Sequence, residues 1–182
     1  MLELSMHILD IVENSIRAAA TLVEIYINED TLGDRLTVEI TDDGEGMNQT
    51  RASKVLDPFF TTKKVRNVGL GLPLFDQAAQ TAGGRLSLKT EEGKGTHVLA
   101  VFKNSHIDRQ PLGSMSDTIT ALVAGNPDID FLYTHEKDGL AFTLDTREIR
   151  KELDGVSLSN ARVLRFIKEF IEEELKEIAV EQ

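Results

Sequence analysis

The segments LVEIYIN (22–28) and RLTVEIT (35–41) carry apolar residues at every second position. They are joined by the short polar stretch EDTLGD. That period places all the apolar side chains on one face of each segment, so the pair reads as a β-hairpin with one face needing cover. The cover is written on either side. Ile8, Ile11, Val12, Ser15, Ile16 and Ala19 follow the helical repeat before the hairpin. Gly71, Leu74, Phe75, Ala78, Ala79 and Ala82 follow it again, with Pro73 in the first turn and Gly83-Gly84 at the end. RLSLKT and THVLAVF, separated by EEGKG, form a second hairpin. Helix, hairpin, helix, hairpin predicts an α+β fold in two layers, with helices on one face of a sheet.

Between the two units, residues 48–56 suit a short helix capped by Asn48. Near Lys103 the pattern lapses into KNSHIDRQPLGS, which reads as a boundary. Beyond it stand a short helix over 116–124, strands at DFLYTH and LAFTLD, and a final helix over 159–180. The expected division is therefore residues 1–103 and a small C-terminal α/β module, 104–182. The last helix shows Leu164, Ile167, Ile171, Leu175 and Ile178 on one side and EEELKE on the other, a pattern for packing on that module.

The chain's net charge of -11 over 182 residues argues against broad binding to nucleic-acid phosphates. An anionic ligand must then be held by a local basic patch, by backbone amides or through a metal ion. With no cysteine, thiolate metal sites and disulfides are excluded. The N-terminus has acids inside its apolar run, unlike a signal peptide, and no apolar run approaches the ~20 residues of a membrane span. The expectation is a soluble, cytoplasmic protein with no membrane or nucleic-acid partner.

Four elements can carry chemistry. In DIVENSIRAAA, Asp10, Asn14 and Arg17 share a helix face opposite the apolar stripe. That face is either plain surface, with Glu13 and Arg17 as an i,i+4 pair, or a site. As a site, Asn14 offers an oxygen to a hard cation such as Mg2+, Arg17 faces a phosphate and Asp10 orients an attacking group. In DDGEGM, Asp42 to Met47, the glycines are either an ordinary turn or a close approach for a flat ring whose amino group a carboxylate accepts. In DPFFTTKKVRNVGLGLPLF, Gly69 and Gly71 precede a helix, where backbone amides can cradle phosphate oxygens. Arg51, Lys54, Lys63, Lys64 and Arg66 reverse the chain's charge sign there, and Phe59 and Phe60 read as the hinge of a mobile loop. GGRLSLKTEEGKGTHVLAVF has a plain explanation as a hairpin, with Thr96 as a hydroxyl near the ring.

Taken in order, ENSIRAA, DDGEGM, DPFFTTK, NVGLGL and GGRLSLKTEEGKGTHVLAVF resemble the GHKL, or Bergerat-fold, superfamily from about residue 6 to 103. The nearest likeness is to the catalytic domain of bacterial sensor histidine kinases. The resemblance implies a Bergerat-type sandwich on a mixed sheet, binding ATP with Mg2+. By it, Asn14 holds the metal, and Asp42 accepts from the adenine amine. Gly44, Gly46 and Met47 line the adenine pocket with Thr96 nearby. Lys63 and the turn Gly69, Leu70, Gly71, Leu72 form a short lid over the phosphates.

The sequence also departs from that pattern. Histidine kinases carry their acceptor histidine on a helical hairpin ahead of this domain, and no such hairpin fits here. His7, His97 and His106 read as ordinary structural or surface residues, and His135 as part of a hairpin turn. Where related ATPases and anti-sigma serine kinases carry glutamate, the chain has Asp10, which keeps the carboxylate on a shorter arm. The large transducer domain of the gyrase-like ATPases has no counterpart. The expected function is Mg2+–ATP binding with action in trans, by phosphoryl transfer to a separate protein acceptor or by regulating it. The rivals are a non-catalytic ATP sensor or scaffold, an anti-sigma-like serine kinase, and an independent ATP hydrolase.

Overall fold

Register in the sheet follows from the alternation in the hairpins. The computed structural model describes residues 2–52, 55 and 71–180. In chain order its elements are α1 (Leu4–Arg17), β1 (Leu22–Asp30), β2 (Arg35–Asp42), α2 (Gln49–Ala52), α3 (Gly71–Thr81), β3 (Arg85–Glu91) and β4 (Gly95–Lys103). They continue with α4 (Met115–Gly125), β5 (Asp130–Lys137), β6 (Leu140–Asp145), α5 (Thr146–Glu152) and α6 (Ala161–Val180). The strands form one six-stranded mixed sheet in the order β3-β4-β2-β1-β5-β6. Every neighbouring pair is antiparallel except β1 with β5.

Pairing brings Leu88, Val98, Ile40, Ile25, Tyr133 and Leu144 into one line across all six strands. The parallel line next to it is Leu86, Ala100, Val38, Ile27, His135 and Phe142. Both lines face the helices, and each fully buried branched aliphatic in them contributes about 1.5–3 kcal/mol. The opposite face is polar: Glu24, Lys89 and Thr143 on it are exposed. On the covered face α3 packs on β3 and β4, α1 on β2, and α6 on β5 and β6, with α4 between α1 and α6. The α+β sandwich with helices on one face is thus the observed architecture.

The hairpin that follows Lys103 joins this same sheet, because β5 runs alongside β1 from Leu22↔Asp130 to Glu29↔Lys137. Three local expectations change. α1 begins at Leu4, one turn before Ile8, where the N–H groups of Leu4 and Ser5 donate to the carbonyls of Pro111 and Leu112. α5 follows β6 directly, capped by Asp145, whose side chain accepts from the Arg147 N–H. His135, read from the sequence as a turn residue, lies within β5 and is 1 % exposed. Its Nδ1 lies 2.6 Å from the Tyr133 hydroxyl and its Nε2 2.9 Å from Glu29 Oε1, so both ring nitrogens are hydrogen-bonded. The bond to Glu29 holds that carboxyl below its usual range. Among the described residues, no helix is long and apolar enough to cross a membrane.

Candidate functional site

Two clusters of polar side chains form at one end of α1, and each grows from a local rule of the sequence. The first is where α3 starts. A Cβ placed on Gly71 would lie 3.1 Å from Asp10 Cβ and 3.7 Å from Asn14 Nδ2, so α3 begins facing both side chains at a position with little room for a side chain of its own. Asp10 and Asn14 are half-buried there, and Arg17 is exposed. Arg17 Nη2 donates to Asn14 Oδ1 at 2.6 Å. Its Nη1 lies 3.7 Å from Glu13 Oε2 with both side chains more than half exposed, a pair worth little. Leu72, the next residue of α3, is buried in the core.

The second cluster sits where β2 ends. Leu36, Val38 and Ile40 face the helices, and period two then puts Asp42 in the same row, 7 % exposed. A carboxylate so placed is costly unless its oxygens are bonded. Oδ1 accepts from the Gly44 N–H at 3.0 Å and the Thr96 N–H at 3.2 Å. Oδ2 accepts from the Ser15 hydroxyl at 2.5 Å. A carboxylate has about four lone-pair positions. These three donors therefore leave Oδ2 able to accept once more.

The loop after Asp42 is pinned on both flanks. Asp43 accepts from the N–H groups of Thr21 and Leu22 at 2.7 and 2.9 Å. The Met47 N–H donates to Thr90 Oγ1 at 2.9 Å, and Thr90 in turn bonds Thr96 Oγ1 at 3.1 Å. Gly46 has φ +63, and a Cβ there would fall 2.0 Å from the Glu91 carbonyl oxygen. Only glycine suits that position.

The structure therefore brings together Asp10, Asn14, Arg17 and Gly71, and separately Asp42, Gly44, Met47 and Thr96. Ser15 joins the clusters, since it follows Asn14 on α1 and bonds Asp42. Sequence reasoning counted Ser15 only as a small residue on the apolar stripe. The signal was there, because a hydroxyl on a buried stripe needs a partner. Ser15→Ala is expected to lower the free energy of unfolding by about 1–3 kcal/mol, by leaving Asp42 short of a donor. Urea denaturation measures this. Lys63, Gly69, Leu70 and the Phe59–Phe60 hinge lie outside the described residues, as do Lys64 and Arg66.

Among the described residues there is no group of three or more His, Asp or Glu side chains that could hold a metal ion. The donor set still fits a magnesium ion brought in by a phosphorylated ligand. Mg2+ takes one or two protein oxygens and completes its shell with phosphate and water. Asn14 Oδ1 is such an oxygen, provided that Arg17 releases it.

A family model for "Histidine kinase-, DNA gyrase B-, and HSP90-like ATPase" matches residues 2–106. Among curated proteins, the alginate biosynthesis sensor protein KinB of Pseudomonas aeruginosa is 29% identical over 87 residues, covering 47% of this chain and 15% of that protein. The sensor protein DegM of a Bacillus strain is 32% identical over 92 residues, covering 50% of this chain and 24% of its own. The chain thus spans less than a quarter of the length of these relatives. The N-terminal domain of a DNA repair protein shares the fold with a TM-score of 0.57 at 18% identity, over 80% of this chain and 53% of that one.

Proposed function

We propose, from the premise that this chain belongs to the histidine kinase-, DNA gyrase B- and HSP90-like ATPase family, that it binds Mg2+–ATP and acts in trans on a separate protein. It transfers the γ-phosphoryl group to that protein or regulates it through nucleotide occupancy. The observation that carries this reading is Asp42: a nearly buried carboxylate, fixed by three donors, with capacity for one more. An exocyclic adenine amine is a donor of the right kind, and the loop from Gly44 to Met47 supplies backbone beside it.

The phosphate end falls to the other cluster. Asn14 supplies the protein oxygen for Mg2+, which when bound neutralises phosphate charge. Arg17 has to leave Asn14 Oδ1 for this to happen, and a triphosphate offers its guanidinium a stronger partner than a neutral amide. The amide at Gly71, with Lys63, Gly69 and Leu70, completes the phosphate contacts in this reading, and Leu72 anchors the turn in the core. Thr96 holds Asp42 through its N–H and presents its hydroxyl through Thr90.

Asp10 supports a second reading. Its carboxylate stands one helical turn before Asn14 and beside the start of α3 at Gly71, where it can orient or deprotonate water or a serine hydroxyl. Hydrolysis or serine phosphorylation would use it, whereas occupancy sensing would not. Incubating the protein with γ-labelled ATP separates the cases. With turnover, Asp10→Asn is expected to lower phosphate release by about 100-fold or more. Transfer of label only in the presence of an added acceptor protein supports the kinase. Tight binding with neither outcome removes catalysis and leaves the sensor.

A further inference from the structure

A third line of side chains runs along the covered face of the sheet, next to the line of Leu88, Val98 and Ile40. Register pairs Thr90 with Thr96, Thr96 with Asp42, Asp42 with Val23 and Val23 with Phe131. Val23 and Phe131 are fully buried, as the helix-facing side demands. On β3, β4 and β2 the same line is polar. Polar side chains on a covered face need partners, and these find them in one another and in the loop beyond Asp42.

Thr90, at the outer end of the strip, is half-buried, and its hydroxyl meets three groups. The Met47 N–H donates to it at 2.9 Å, the Gly95 carbonyl accepts from it at 3.1 Å, and Thr96 Oγ1 lies 3.1 Å away. A hydroxyl has one proton and two lone pairs. One arrangement alone satisfies all three contacts together. The Thr90 proton goes to Gly95, one lone pair takes the Met47 N–H, and the other takes the Thr96 proton. Thr96 Oγ1 then has only lone pairs to offer. So has the Asp42 carboxylate on the neighbouring strand, whose Oδ1 accepts the Thr96 N–H at 3.2 Å.

From these contacts we infer that Thr90 is a positioning residue that sets base specificity. It draws the Thr96 proton toward β3, so that Thr96 and Asp42 together present acceptors only. The inference rests on the reading of Asp42 as the carboxylate that binds the adenine amine. An exocyclic amine carries two N–H groups and suits a pair of acceptors. A base with a carbonyl in that place, such as hypoxanthine, turns lone pairs toward lone pairs and is rejected. Thr90 acts through Thr96 and through the Met47 amide, which it ties to β3.

Calorimetric titration of the full chain with Mg2+–ATP and with Mg2+–inosine triphosphate tests this. The wild-type protein is expected to prefer ATP by about 100-fold. Thr90→Val keeps a β-branched side chain suited to a strand and removes the hydroxyl. The Thr96 proton is then free to turn to a carbonyl, and the preference is expected to fall by about tenfold. Thr90→Ser keeps the hydroxyl and with it the wild-type preference. A merely structural role would weaken both nucleotides alike, so an unchanged ratio in Thr90→Val overturns the inference. Thr96→Val gives a second measurement that does not depend on Thr90→Val folding. It keeps the N–H bonded to Asp42 and is expected to weaken ATP by about tenfold, with no loss for inosine triphosphate. Equal loss for both nucleotides, or loss for neither, overturns the inference as well. A wild-type chain that binds both equally well overturns it while leaving nucleotide binding intact. One that binds neither removes the Asp42 reading, and this inference with it.

Discussion

Replacing Asp42 by Asn is expected to weaken ATP binding by about 1.5–3 kcal/mol, the worth of a hydrogen bond to a charged group. That is roughly a 10- to 100-fold rise in Kd, read by calorimetric titration with Mg2+ present. The carboxylate now accepts from Ser15, Gly44 and Thr96 and offers Oδ2 to one more donor. An amide in its place has one oxygen for those donors, and turns N–H groups toward another. Either the ligand's amine or a protein donor then loses its acceptor. Wild-type affinity in Asp42→Asn removes Asp42 from the site, and the adenine assignment of Gly44, Gly46 and Met47 goes with it.

Phe75→Ala is expected to cost about 3–5 kcal/mol of stability, the range for deleting a buried aromatic ring. Phe75 is 0% exposed and stands between layers. Its ring stacks on His7 of α1 at 5.3 Å and tilts against Phe102 of β4 at 5.7 Å. Burial pushes the His7 imidazole below its ordinary pKa, so the stacked ring is the neutral form. Removing Phe75 opens a cavity where α1, α3 and the sheet meet, four residues after Gly71. Denaturant unfolding at neutral pH measures the loss, and a change below about 1 kcal/mol would mean that the neighbouring side chains close the gap.

Periodicity made α1, α3 and both N-terminal hairpins legible, because each has one apolar face and recognisable turn residues. It also put Asp10 and Asn14 on one face and Asp42 at a strand end. It did not reveal that Asp42 shares the row of Val38 and Ile40, since a carboxylate in an apolar row breaks the pattern used to find rows. Strand order was hidden for another reason: β5 pairs with β1, and nothing local in DFLYTH names a partner so far away. α5 was missed because it is seven residues long, although Asp145 and Glu148 carry the spacing of a capping box. The KDG after Glu136 signals a turn, and His135 reads from the sequence as part of it, yet the strand runs on through Lys137 and buries the ring.

The parallel pairing of β1 with β5 has a consequence for how the protein comes into being. β1 leaves the ribosome well ahead of β5 and has β2 close behind it, but its other flank waits for residues 130–137. Until they emerge, the nascent sheet shows a bare backbone edge, and α1 lacks the neighbour that α4 provides. Long-range parallel pairing of this kind is slow to form. A truncation after residue 106, at the limit of the matched family region, would make that waiting state permanent.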